Sequence, residues 1–294
     1  MPRTSAIAVL LMSLSALVPG MALAQGASVV VLRTSEMGAY KAVEASFTAA
    51  LGPGQSIASI GLAAPDAKER FEQAKPGAKL IVALGPEAAR LAATATGTKT
   101  VSTLLSAEAD KDAVVLPMFV APARQVRTLK TVLPAAQTVG MVYDPKVSKA
   151  LVAGCEAAAA AEGLKLVRAE VGSRAEVAEA ARSLVGKVDA LWLVPDPTVI
   201  SADTFKLLLQ ISLAAKMPVM GFTSGMAKAG ALVSLEATHE ELGQHVAEAA
   251  RRILAGQAAA LEGCEGTLYL NAKVAELLGV ALPDEVKGKA ATVF

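Results

Sequence analysis

The sequence predicts an α/β protein of two Rossmann-like lobes, each built on a parallel sheet and joined to the other by a hinge. Three observations predict it. Short apolar, β-branched runs alternate with longer helical patterns almost to the end of the chain. Runs such as Leu80-Ile81-Val82-Ala83-Leu84 are apolar at every position, as strands covered on both faces must be. The rhythm falls into two series, and 294 residues are too many for one modest core.

The first series of expected strands covers residues 28–32, 55–60, 79–84, 99–102 and 114–119, and the second covers 139–143, 164–170, 190–194, 218–222 and 231–235. The join between them is expected near Leu133-Pro134-Ala135-Ala136. Helix signals lie between the strands. Ser173-Arg174-Ala175-Glu176 and Thr238-His239-Glu240-Glu241 have the spacing of capping boxes. After the second, Leu242, Val246, Ala249 and Ile253 form an apolar stripe, and Gly256 stands where that helix should stop. The alanine-rich stretch 151–161 reads as helix by propensity alone.

The first 24 residues read as a secretory signal. Arg3 precedes a short apolar segment, and Ala22-Leu23-Ala24 has the small-x-small pattern of a cleavage site. The segment is short for a membrane span. Removing Arg3 brings the balance of 28 Lys and Arg against 27 Asp and Glu to formal neutrality. No basic stripe is present to hold nucleic acid, and no further apolar run is long enough to insert in a membrane after cleavage. Cys155 and Cys264 are either a disulfide or two buried thiols.

In open parallel sheets, ligands bind beyond the carboxyl ends of the strands. The expected loops there are Thr34-Ser35-Glu36, Gly85-Pro86-Glu87, Asp144-Pro145, Asp196-Pro197-Thr198 and Thr223-Ser224-Gly225. Their hydroxyls, carboxylates and glycines suit a small polar molecule. Asp144, Asp196 and Thr223 fit helix caps equally well, and Gly85 fits a tight turn. Tyr40 is a pocket wall or an ordinary tyrosine, and Trp192 reads as sheet core. His239 and His245, the only histidines, lie six apart in one expected helix and match no metal spacing. No Walker loop, nucleophile elbow or dinucleotide fingerprint occurs, so neither an enzyme nor a cofactor is expected.

Val139-Gly140-Met141-Val142-Tyr143-Asp144-Pro145 resembles the strand and turn that open the second lobe of one substrate-binding family of ATP-binding-cassette (ABC) transporters, a family with tryptophan- and tyrosine-associated members. The resemblance continues through Val194-Pro195-Asp196-Pro197-Thr198, Ala215-Lys216-Met217-Pro218-Val219, Glu241-Leu242-Gly243-Gln244 and Asn271-Ala272-Lys273-Val274. Asp196-Pro197-Thr198 is a shortened form of the family's usual TDNT stretch. The resemblance implies a type I periplasmic-binding-protein fold whose chain crosses between lobes three times. One lobe would hold residues 25–134 and 237–262, the other 135–236 and 263–294. It also implies ligand contacts from Ser35, Gly85, Asp196, Thr198, Thr223, Ser224 and Glu236. The expected function is periplasmic capture of an amino acid or similar zwitterion for an inner-membrane ABC permease, with Asp196 or Glu236 on the ammonium. A sensor presenting its ligand to a receptor kinase needs the same cleft and is the alternative.

Overall fold

A computed structural model of the chain describes residues 26–104, 113–259 and 263–294; the expected leader lies outside them. Strands β1 (Val29–Arg33), β2 (Ile57–Gly61), β3 (Leu80–Leu84), β4 (Lys99–Thr103) and β5 (Val114–Val115) form an all-parallel sheet in the order β2-β1-β3-β4-β5. A second sheet holds β6 (Thr138–Tyr143), β7 (Lys165–Glu170), β8 (Ala190–Trp192), β9 (Val219–Gly221), β10 (Val233–Glu236), β11 (Thr267–Leu270) and β12 (Thr292–Val293). Its order is β12-β11-β10-β9-β8-β6-β7, parallel except where β11 meets β10. All ten expected strands are present, β5 shorter than its apolar run; β11 and β12 lie beyond the two expected series.

The doubly apolar strands explain the layers. In β1 and β3, Val29, Val31, Leu80 and Val82 face one core, whereas Val30, Leu32, Ile81 and Ala83 face another. The first core is closed by α1 (Gly38–Leu51) and α9 (His239–Leu254), the second by α2 (Ala67–Ala74) and α3 (Pro86–Ala92). In the second sheet, Met141, Trp192 and Val194 face α4 (Pro122–Val132), α5 (Pro145–Ala161), α10 (Ala272–Leu278) and α11 (Asp284–Lys289). Val142, Leu191 and Leu193 face α6 (Val177–Leu184), α7 (Ala202–Ala214) and α8 (Ser224–Ala229). Trp192 is sheet core, fully buried, and its indole N–H donates to Gln125 Oε1 at 2.8 Å.

The chain passes between the two sheets three times, and one expected crossing moves. Val126, Leu129 and Val132 of α4 pack in the second lobe's core, as do Phe119 and Val120, whereas Leu116 packs in the first, so the chain has crossed by Val120 rather than at 133–136. Leu133 and Pro134 resemble a linker in sequence, but they only end α4 and lead into β6. The second crossing is Ala237, which packs against a core of each lobe. The third runs from Cys264, bridged to Val120, through Gly266 into β11. Gly266 has φ +81°, and a Cβ there would lie 2.4 Å from Val120 Cγ2. Only glycine lets the two crossing segments lie this close.

Local signals held unevenly. Thr238 and Glu241 form the expected capping box at α9. Ser173 does not cap with its side chain: a 3-10 turn intervenes, and Glu176 instead accepts from the Gly172 N–H and the Ser173 hydroxyl. Cys155 and Cys264 are both free, buried in cores of different lobes. Burial pushes the Cys155 thiol up to about 12 and, ahead of a nearby Glu241, the Cys264 thiol up to about 11. Both are therefore inert small apolar residues.

Candidate functional site

Strand order places the site. In the first sheet the chain reverses direction of progress between β1 and β3, and in the second between β6 and β8. Those switch points open a crevice at the strands' carboxyl ends. The loops there are Thr34–Met37 and Gly85 in one lobe, Asp144 and 193–198 in the other.

In the first lobe, Gly85 caps α3 with φ +95°, and Pro86 takes the first helical position. A Cβ on Gly85 would lie 2.6 Å from Thr34 Oγ1 and 2.7 Å from the Tyr40 ring. The glycine thus allows Thr34 and Tyr40 to close over it. Thr34 Oγ1 accepts the Ala88 N–H, and Ser35 Oγ accepts the Met37 N–H. The 14-residue helix α1 begins at Gly38 without a side-chain cap; the Tyr40 N–H donates to the Met37 carbonyl, and the Gly38 and Ala39 N–H groups stay open. Beside it, Arg33 pairs with Glu44 of α1 and with Glu36, and its guanidinium holds the Glu36 carboxyl below the usual range.

In the second lobe, Asp144, Asp196 and Thr198 form one closed network. Asp144 caps α5, its Oδ1 accepting the Lys146 N–H at 2.9 Å and its Oδ2 accepting the Thr198 hydroxyl at 3.0 Å. Asp196 Oδ2 accepts the Asp144 N–H at 2.8 Å. Its Oδ1 accepts the N–H of Thr198 at 2.9 Å and of Val199 at 3.4 Å. Asp196 is 0 % exposed. This corrects one expectation. Asp196 caps no helix, since 197–199 is a turn and α7 starts later on Ser201. Its carboxylate is surrounded by backbone N–H groups in place of solvent, which gives it a structural role that the sequence did not suggest.

Glu236 is placed differently. It ends β10, immediately before the second crossing, half-buried, and its Oε2 accepts the Ser224 N–H at 2.8 Å. Thr223 caps α8, its hydroxyl accepting the Met226 N–H. Glu236 and Ser224 therefore meet at the mouth of α8, although twelve residues separate them. The Tyr269 phenol across the β10–β11 ribbon is raised by burial first, then by the Glu236 and Glu241 carboxylates. Among the described residues Glu236 has no cationic partner. Phe222, just before Thr223, packs edge to face on Phe119, with centroids 6.5 Å apart. It ties the mouth of α8 to the first crossing.

Two features escaped the sequence. Gln125 donates to the Val120 carbonyl at 2.8 Å while holding Trp192, so it links the first crossing to the second sheet. The Arg33–Glu44 pair joins a strand end to the middle of α1. Each partner is an ordinary polar residue, and nothing in linear spacing marks the pairing. Among the described residues no His, Cys, Asp and Glu group is placed to hold a metal, and no helix is long and apolar enough to cross a membrane.

Two parallel-sheet lobes crossed three times, with polar groups gathered at both switch points, define a bilobal binding protein. Comparison with known proteins gives the family. Residues 120–294 match the model of the ABC transporter substrate binding protein family, and the chain belongs to that family. A tyrosine-binding protein of Clostridioides difficile (strain R20291) is 26 % identical over 136 residues. That match covers 46 % of this chain and 39 % of the relative, less than half of its length. Among solved structures, the ligand-free, open form of a Clostridium difficile substrate-binding protein with adhesive properties has a TM-score of 0.66 at 22 % identity, covering 91 % of this chain and 99 % of that one. An ABC domain from Streptococcus pneumonia in complex with L-Trp has a TM-score of 0.56 at 20 % identity, covering 92 % and 100 %. The family's members and these relatives bind substrates rather than turn them over.

Proposed function

We propose that this chain captures a small amino acid-like zwitterion outside the cytoplasmic membrane and delivers it to an inner-membrane ABC permease. Export behind the signal at 1–24, with cleavage after Ala24, into the periplasm is part of this reading. The observation that carries it is the Glu236 carboxylate, held by Ser224 at the mouth of α8 beside a crossing, with no cation paired to it among the described residues. An ammonium group suits that position. The ligand's carboxylate goes to the open first turn of α1, with the Ser35 hydroxyl beside it, because helix N-termini favour anions. Thr223 and Ser224 supply hydroxyls in the second lobe, while Tyr40 and Gly85 form the wall of the first. Asp144, Asp196 and Thr198 hold the second lobe's loop in shape. The tyrosine-binding relative and the L-Trp complex support an amino acid as the ligand class.

A thermal-shift screen of amino acids, purines and sugars tests this. A ligand at about a hundredfold excess over its dissociation constant stabilises by roughly 2.7 kcal/mol, a rise of several degrees. Glu236→Gln keeps an acceptor for the Ser224 N–H, so the unliganded melting point is expected to hold. The amino acid-induced shift is expected to vanish, since an unpaired desolvated ammonium costs about 2–5 kcal/mol. Retention of the full shift in Glu236→Gln would overturn the assignment.

A further inference from the structure

A second cavity, of about 310 Å³, lies outside the crevice, between α4, α11 and the β10–β11 ribbon. Arg124, Arg127 and Lys289 line it, together with Thr131, Leu235 and Gly266, and among the described residues no acidic one does. Three cations around one small space repel each other, a cost that an anion bound between them removes. Each has a single acidic partner, at the protein surface. Arg124 lies 3.2 Å from Glu265 and Lys289 2.6 Å from Glu285, while Arg127 and Glu162 are 3.9 Å apart, beyond hydrogen-bonding range. All three pairs are largely solvent-exposed, with cation exposures of 41 %, 52 % and 68 %, so each is worth little and is readily exchanged. Two guanidiniums offer forked N–H donors, and a lysine adds a point charge.

We infer that this cavity is a second binding site, for a small oxyanion carrying two or more negative charges. Its position gives it a consequence. Gly266 belongs to the third crossing, Leu235 lies two residues before the second, and Arg124 sits in the first turn after the first. Arg124 Nε also reaches the Glu265 carbonyl at 3.4 Å. An anion here is held by Arg124, Arg127 and Lys289, in a cavity whose walls include residues next to all three crossings. The site is independent of the amino acid crevice, since none of the crevice residues lines it.

Isothermal titration calorimetry with pyrophosphate and with citrate tests the site, at ionic strength matched with sodium chloride. Wild type is expected to give a saturable one-to-one isotherm with at least one of them, and the better ligand tells phosphate from polycarboxylate chemistry. Arg127→Gln combined with Lys289→Gln is expected to weaken binding by about a hundredfold, roughly tenfold per charged contact. Glu285→Gln, which releases Lys289 from its competitor, is expected to tighten it. The absence of a saturable isotherm with both anions, or equal affinity in the double variant, overturns the site. If the double variant does not fold, unchanged or weaker affinity in Glu285→Gln does so.

Discussion

Asp196→Ala is expected to destabilise the protein by about 3 kcal/mol, whether or not ligand is present. The carboxylate is fully buried and accepts three backbone N–H groups, from Asp144, Thr198 and Val199. Truncation strands those donors, and each unmatched buried group costs about 1–3 kcal/mol, less where water enters the vacated space. For lobes of this size the melting point should fall by on the order of 10 °C. Asp196→Asn keeps one acceptor oxygen and should lose about half as much. A ligand contact would behave otherwise, with melting unchanged and the ligand-induced shift abolished. Thermal melts of both variants, with and without ligand, separate the two.

Gly243→Ala should also destabilise, by about 2–3 kcal/mol, against the ordinary sign for a helix interior. Replacing glycine by alanine in a helix normally gains up to about 1 kcal/mol. Here a Cβ would lie 2.5 Å from the Val43 carbonyl oxygen, 2.5 Å from Ser46 Cβ and 2.7 Å from the Phe47 nitrogen. Two of those three atoms are backbone of α1, so α1 and α9 must move apart rather than one side chain yield. That movement loosens the packing of Val43 and Phe47 against Leu242 and Val246. Gly154 is the internal control: it lies in α5, and a Cβ there would meet nothing within 4 Å. Gly154→Ala should stabilise slightly. Equal effects at the two positions, by chemical denaturation, would contradict the α1–α9 contact.

These two residues also show what was legible in the sequence. The strands were, because a run such as Leu80–Leu84 must be covered on both faces wherever it folds. The capping box at Thr238 was, because its partner is three residues away. Asp196 was visible as an acid at a strand's end, but its main donor, the Asp144 N–H, is 52 residues distant. Its role therefore depends on the pairing of β6 with β8. Gly243 reads as an ordinary helix glycine until α1 is placed against it. The first crossing was misplaced for a related reason. A hinge segment carries no periodicity, so Leu133-Pro134 looked like a boundary while Val120–Ala121 looked like the end of a strand.

In the proposed function, two lobes joined at Val120, Ala237 and Gly266 close over a small zwitterion. Near-rigid rotation about such crossings brings the lobes' mass together. Small-angle X-ray scattering measures this directly, comparing the free protein with the protein saturated by L-tryptophan, L-tyrosine or whichever amino acid shifts its melting. The radius of gyration should fall on saturation, and Glu236→Gln should show no fall at the same amino acid concentration. An unchanged radius in wild type, with binding established by calorimetry, would contradict hinge closure and leave a preformed pocket in its place.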